Sequence, residues 1–164
     1  MTSQLMLARS SETVSDFWHR AVTEGERQAE ISLSPLLKGH LAMTLRSYIR
    51  DLALCRVVAR EYMQPRDAED LVKVAGRCLL IEGLFPELFR RRNVHKGYFV
   101  EIGTSAYHAH AVYWSARGRH GYAECSRSAA EHFLDLVGTL MGMNNSPNIA
   151  EALQALRTPH NKWN

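Results

Sequence analysis

Apolar residues along this chain recur mainly three and four positions apart, the period of helices buried on one side. Val14, Phe17, Trp18, Ala21 and Val22 form the first stripe, with Ser10 or Ser11 as the expected cap and Gly25 expected to loosen or end it. Ser34-Pro35 then places a capping hydroxyl before a proline at the first helical position. Leu37, Leu41, Leu45, Tyr48 and Leu52 follow, with His40 and Ile49 beside them. The helical pattern continues from Asp51 to Met63 after a bend expected near residues 50–52, and Gln64-Pro65 stops it.

Asp67 is the next capping residue, with Glu69 and Asp70 suitably placed in a first helical turn. From Leu79 to Phe85 apolar residues nearly surround the helix, which marks a central element, and Gly83 and Pro86 are expected to break it. A short helix from Pro86 to Arg92 and a turn at Asn93 come next. A longer helix from about Lys96 to about Arg117 should bury Phe99, Ile102, Gly103, Ala106, His110 and Tyr113. Gly118–Gly121 is a connector. A helix from Tyr122 to about Met141 places Ala129, Phe133, Val137 and Leu140 on one side. Asn144-Asn145 turns the chain, and Ser146-Pro147 starts a final short helix carrying Ile149, Ala150, Leu153 and Leu156.

No alternating strand pattern and no internal repeat interrupts this series. The predicted fold is all-α, a single-domain bundle of about seven or eight helices with short connections. Residues 1–10 read as a mobile leader, 11–157 as the domain and 158–164 as a loose tail.

Composition narrows the function classes. The 164 residues are 46% hydrophobic and 23% charged, ordinary for a globular protein. A formal net charge of +3 gives no strong pull toward nucleic acid or anionic lipid. The three cysteines, Cys55, Cys78 and Cys125, form no CxxC pair. No segment approaches the ~20 apolar residues of a membrane span. A cytoplasmic location is expected.

Leu33-Ser34-Pro35, then GLFPELFRRR, then GYFVEIGTSAY occur in that order. Over roughly Phe17 to Ala111 the chain resembles a widespread, uncharacterised bacterial family marked by an aromatic-rich glycine break, a basic turn, an aromatic pair and an Ala-Tyr pair. The resemblance implies an all-α cytoplasmic protein and carries no activity or site residue with it. Lys96-Gly97 departs from the acidic or proline-containing helix start of that pattern.

Among chemical groups the histidines stand out. His108 and His110 project about 200° apart on a helix, so they cannot jointly grip one metal from it. His110 shares the buried stripe, and His40 lies on the early helix. Either suits axial ligation of a haem if it faces an apolar pocket. Glu82 sits within an apolar run, where a carboxylate needs a partner or a raised pKa. It is a candidate ligand or base, or the partner of an arginine. The basic cluster is Arg90, Arg91, Arg92, His95 and Lys96, able to hold phosphate or an acidic partner, although three consecutive arginines fan around the helix instead of forming one patch. Arg117, Arg119 and His120 are candidates to extend it. Cys125 has Arg127 and His120 as possible activating neighbours. No GxSxG or phosphate-loop motif occurs.

Small Gly103 and Ala106, together with Tyr98, Phe99, Tyr113 and Trp114, describe a helix that is either central or pairs two subunits. These features point away from an enzyme and toward a non-catalytic regulatory or protein-interaction module. It would associate with itself as a homodimer and offer the Arg90–Lys96 turn to an acidic protein, without a cofactor or a membrane. The alternative is a helical haem or transition-metal protein using His110, His40 and Glu82. A third reading, weak nucleic-acid binding, has less support.

Overall fold

The computed structural model describes residues 12–49, 67–85 and 97–157. Among the described residues there are seven helices and no strand: α1 (Val14–Ala29), α2 (Pro35–Tyr48), α3 (Ala68–Leu84), α4 (Tyr98–Ala116), α5 (His120–Glu131), α6 (Phe133–Asn144) and α7 (Pro147–Arg157). The all-α prediction holds. The leader, the 51–63 continuation with its bend, the Pro86–Arg92 helix and the tail lie outside the described residues.

Local chemistry sets most of the helix starts. Ser34 Oγ accepts from the Leu37 N–H at 3.2 Å, with Pro35 at the first position. Asp67 accepts from the Asp70 N–H at 2.9 Å, and Glu69 and Asp70 meet the positive end of the helix dipole. Such caps contribute about 1 kcal/mol each. The first helix is capped by Thr13 instead of the expected Ser10 or Ser11, in a reciprocal arrangement with Asp16. Pro147 opens α7 as predicted.

α3 is the axle of the bundle. It packs chiefly on α4 and α6 and also touches α2, while α1 lies across α6 and α2. Its residues from Val74 to Ile81 are all buried, as the apolar run from Leu79 anticipated. Leu41, Leu45, Leu79, Leu80, Leu136 and Leu140 are fully enclosed in the common core, each burial worth about 1.5–3 kcal/mol.

Gly25, expected to loosen or end its helix, and Gly83, expected to break its own, both lie inside helices. Gly25 remains within α1, where its Cα faces the Thr139 carbonyl and the Met143 side chain, and Gly142 of α6 meets the Gly25 carbonyl in return. Gly83 stays in α3 because Leu140 occupies the space a Cβ would take. Close helix approach, not helix breaking, is their use. α3 ends at Phe85, and Asn144 Nδ2 donates to the Leu84 carbonyl at 3.3 Å.

The helix expected from Tyr122 to about Met141 is two helices. His132, at φ −111° and ψ 25°, separates α5 from α6. The buried positions Ala123, Ser126, Ala130, Phe133, Val137 and Leu140 run on without a break in spacing. The two halves nevertheless serve different partners, since α5 packs on α4 while α6 packs on α1 and α3. A bend lets each half follow its own neighbour.

On α4 the buried residues are Phe99, Gly103, Ala106, Tyr107 and Ala111. Ile102, His110 and Tyr113, predicted inward, are half-buried, and Tyr107 takes the innermost place. Gly103 faces Phe133 and Cys78, so this small residue serves packing within the chain.

Candidate functional site

α2, α4 and α5 carry a seam of polar side chains through the apolar interior. His40 of α2 is 7% exposed, and its Nε2 lies 2.7 Å from the Tyr107 hydroxyl of α4. Whichever partner carries the proton, this bond engages the Tyr107 hydroxyl and the Nε2 side of the His40 ring. The Thr44 hydroxyl donates to the His40 carbonyl at 2.8 Å and lies 3.5 Å from the His40 ring. The Tyr107 ring meets the His40 and Phe133 rings edge-on, with centroids 5.4 and 6.2 Å away.

One turn further along α4, His110 continues the seam. Its Nε2 accepts from the Trp114 indole N–H at 3.1 Å, and its Nδ1 lies 2.5 Å from Ser126 Oγ of α5. An indole can only donate, so Nε2 must hold the lone pair and Nδ1 the proton. The imidazole is therefore a donor to Ser126. A serine nucleophile needs the opposite arrangement, with the imidazole accepting the hydroxyl proton. Ser126 is also 2% exposed.

Burial governs the protonation states. Desolvation first, then the nearby His110, pushes His40 down to about 4. Desolvation alone lowers His110. Desolvation first, with smaller contributions from Cys125 and Tyr48, drives the Tyr107 hydroxyl above the usual phenol range. All three groups are thus held neutral near pH 7. Burial and then Glu124 raise the Cys125 thiol, the reverse of the activation that His120 and Arg127 were candidates to supply, and Arg127 is paired with Glu124 at 2.7 Å. Cys78 is fully buried.

The structure therefore brings His40 and His110 into one neighbourhood. Glu82 is half-buried on α3 and does not join them: among the described residues no three His, Cys, Asp or Glu side chains form a metal-holding group. A metal at His110 would have to displace Trp114 or Ser126. Arg90, Arg91, Arg92, His95 and Lys96 lie outside the described residues, so their placement as a partner site stays a reading of the sequence alone.

Sequence reasoning missed Tyr107, Thr44 and Ser126 as members of the seam. Trp114 stands four residues after His110, so that pair was accessible from helical spacing. Ser126, sixteen positions from His110, and His40, 67 positions from Tyr107, carried no local signal.

Outside the seam, a cleft of about 260 Å³ opens between α4 and the α5–α6 bend, lined by Val100, Thr104, Ala130, Glu131, His132, Phe133, Leu134 and Asp135. His132 and Asp135 pair at 3.5 Å on its rim, with both side chains half exposed. No helix among the described residues is long and apolar enough to cross a membrane. No family model, curated protein sequence or solved structure matches the chain.

Proposed function

We propose that this chain is a non-catalytic helical interaction module, which pairs with a second copy through an exposed helix face and offers basic side chains to an acidic protein partner. The closed interior supports the first half of this reading. Tyr107 holds His40 through Nε2, and Ser126 and Trp114 hold both ring nitrogens of His110, so these side chains serve the packing of the fold.

The observation that carries the self-association is on α6. Leu134 is 68% exposed and Met141 47% exposed, seven residues apart on one helix face. Gly138 lies between them with Ile31 across it, and Leu134 also borders the Val100–Thr104 cleft. Large exposed apolar side chains aligned on one face mark an association surface, and a two-fold pair would place each Leu134 against the other copy. The basic side chains are those of the Arg90–Lys96 segment, suited to carboxylates through charge-assisted hydrogen bonds.

Size-exclusion chromatography with light scattering tests the pairing. A dimer mass is expected, returning to the monomer value in the Leu134→Asp, Met141→Asp double variant. A monomer at every concentration would remove the self-association.

A further inference from the structure

We propose that the corner where α4 turns into α5 is a docking surface for a short acidic segment of a partner protein, with Arg117 and Arg119 taking its carboxylates and Tyr122 and Trp114 taking an apolar side chain. This rests on the interaction-module reading and gives it a second, described site.

The corner is tightly built. The backbone N–H groups of Arg117 and Arg119 both converge on the Trp114 carbonyl, at 3.1 and 2.9 Å, with Gly118 at φ 74° making the reversal between them. Two cationic residues are thereby held on one bend. The Arg117 guanidinium lies 3.6 Å from the Tyr113 ring centroid, and its Nη1 donates to the Tyr113 carbonyl at 3.0 Å. Stacking and the backbone bond pre-set this side chain while leaving its Nε and Nη2 edge for a two-point carboxylate contact. Less rotamer freedom then remains to be lost on binding.

The charges here are available. Neither Arg117 nor Arg119 forms an ion pair among the described residues, whereas nearby Glu124 is already held by Arg127. Exposed His120 adds a third basic group to the same turn. An apolar contact adjoins them. Tyr122 is 61% exposed, and its ring stands 5.5 Å from that of Trp114 at a 43° tilt. Trp114 is in turn anchored by its indole bond to His110. A fixed arginine beside a supported pair of aromatic rings is the make-up of an interface hot spot.

A short acidic peptide fits this surface better than a single-stranded nucleic acid. A strand with one phosphate per nucleotide needs a continuing basic track. Here exposed Glu124 and Glu131 follow on α5, and the whole chain carries only +3.

The test is fluorescence anisotropy with a short labelled peptide of alternating aspartate and leucine, beside an oligothymidylate of equal charge. The peptide is expected to bind more tightly than the oligonucleotide, and to weaken as salt rises. Arg117→Glu with Arg119→Glu should weaken it about tenfold or more, and Tyr122→Ala should weaken it as well. All three positions are exposed, and circular dichroism checks that the variants stay folded. Replacing Arg90, Arg91 and Arg92 by Ala should weaken the peptide less than the Arg117 and Arg119 change does. Loss on that replacement, with the Arg117 and Arg119 variant unaffected, would overturn the corner and leave an acidic-partner module standing. No peptide binding by the wild-type chain would remove both the corner and the acidic partner. Tighter binding of the oligothymidylate would replace the acidic peptide by nucleic acid.

Discussion

The Tyr107 hydroxyl lies 2.7 Å from Nε2 of His40, a bond across 67 positions that ties α4 to α2 inside the apolar core. Both side chains are buried, so neither group can turn to water if the other is removed. Losing one buried partner costs the desolvation of the other, while replacing both is far milder. Tyr107→Phe is therefore expected to lower unfolding free energy by about 1–3 kcal/mol. His40→Leu combined with Tyr107→Phe should cost less than the sum of the single changes. Urea denaturation of the three variants measures the coupling, and strict additivity would sink it.

Stability should fall in mild acid through the same histidine. His40 titrates at about 4 when folded against about 6.5 when unfolded. Between those values the unfolded chain holds the extra proton, so stability rises with pH there and is level above about 6.5. Acidifying through the window should remove about 3 kcal/mol on this account, with His110 acting in the same direction. Denaturation at a series of pH values checks it. His40→Gln should flatten the curve relative to wild type, and identical slopes would contradict the assignment.

Two glycine-to-alanine changes inside helices should have opposite signs. Around Gly39 of α2 nothing lies within 4 Å of an added Cβ, so Gly39→Ala should stabilise by about 0.5–1 kcal/mol through helix propensity. At Gly142 a Cβ would meet the Gly25 carbonyl, which belongs to backbone and cannot swing aside. Gly142→Ala should cost about 1–3 kcal/mol, as overpacking does. Thermal melts of the two variants make the comparison, and a stabilised Gly142→Ala protein would show that α1 and α6 are not in close contact.

Cys125 should be a sluggish thiol. Its burial and the Glu124 carboxylate both disfavour the thiolate, which is the reacting form. In a Cys55→Ser background, a chromogenic disulfide reagent should label the native chain at neutral pH more slowly than it labels glutathione. Glu124→Gln should speed the reaction. Labelling faster than glutathione would indicate an activated site.

Helical class and most helix starts were readable along the chain because they depend on atoms only a few residues apart. The Ser34 and Asp67 hydrogen bonds each span three positions, so a hydroxyl or carboxylate before an apolar stripe was sufficient warning. The apolar surround of Leu79–Phe85 likewise announced the buried axle, because a helix without a polar side has no face to give to water. Neighbours brought together by folding decided the rest. Gly25 and Gly83 are weak helix formers in isolation, and only the opposing Thr139 and Leu140 reveal them as contact points. The bend at His132 exists because α5 and α6 rest on different helices, a difference absent from their shared spacing. The histidines were visible as residues. Whether each was an open ligand or a closed partner depended on Tyr107, Trp114 and Ser126, since a hydrogen bond is decided by distance in space and not by separation along the chain.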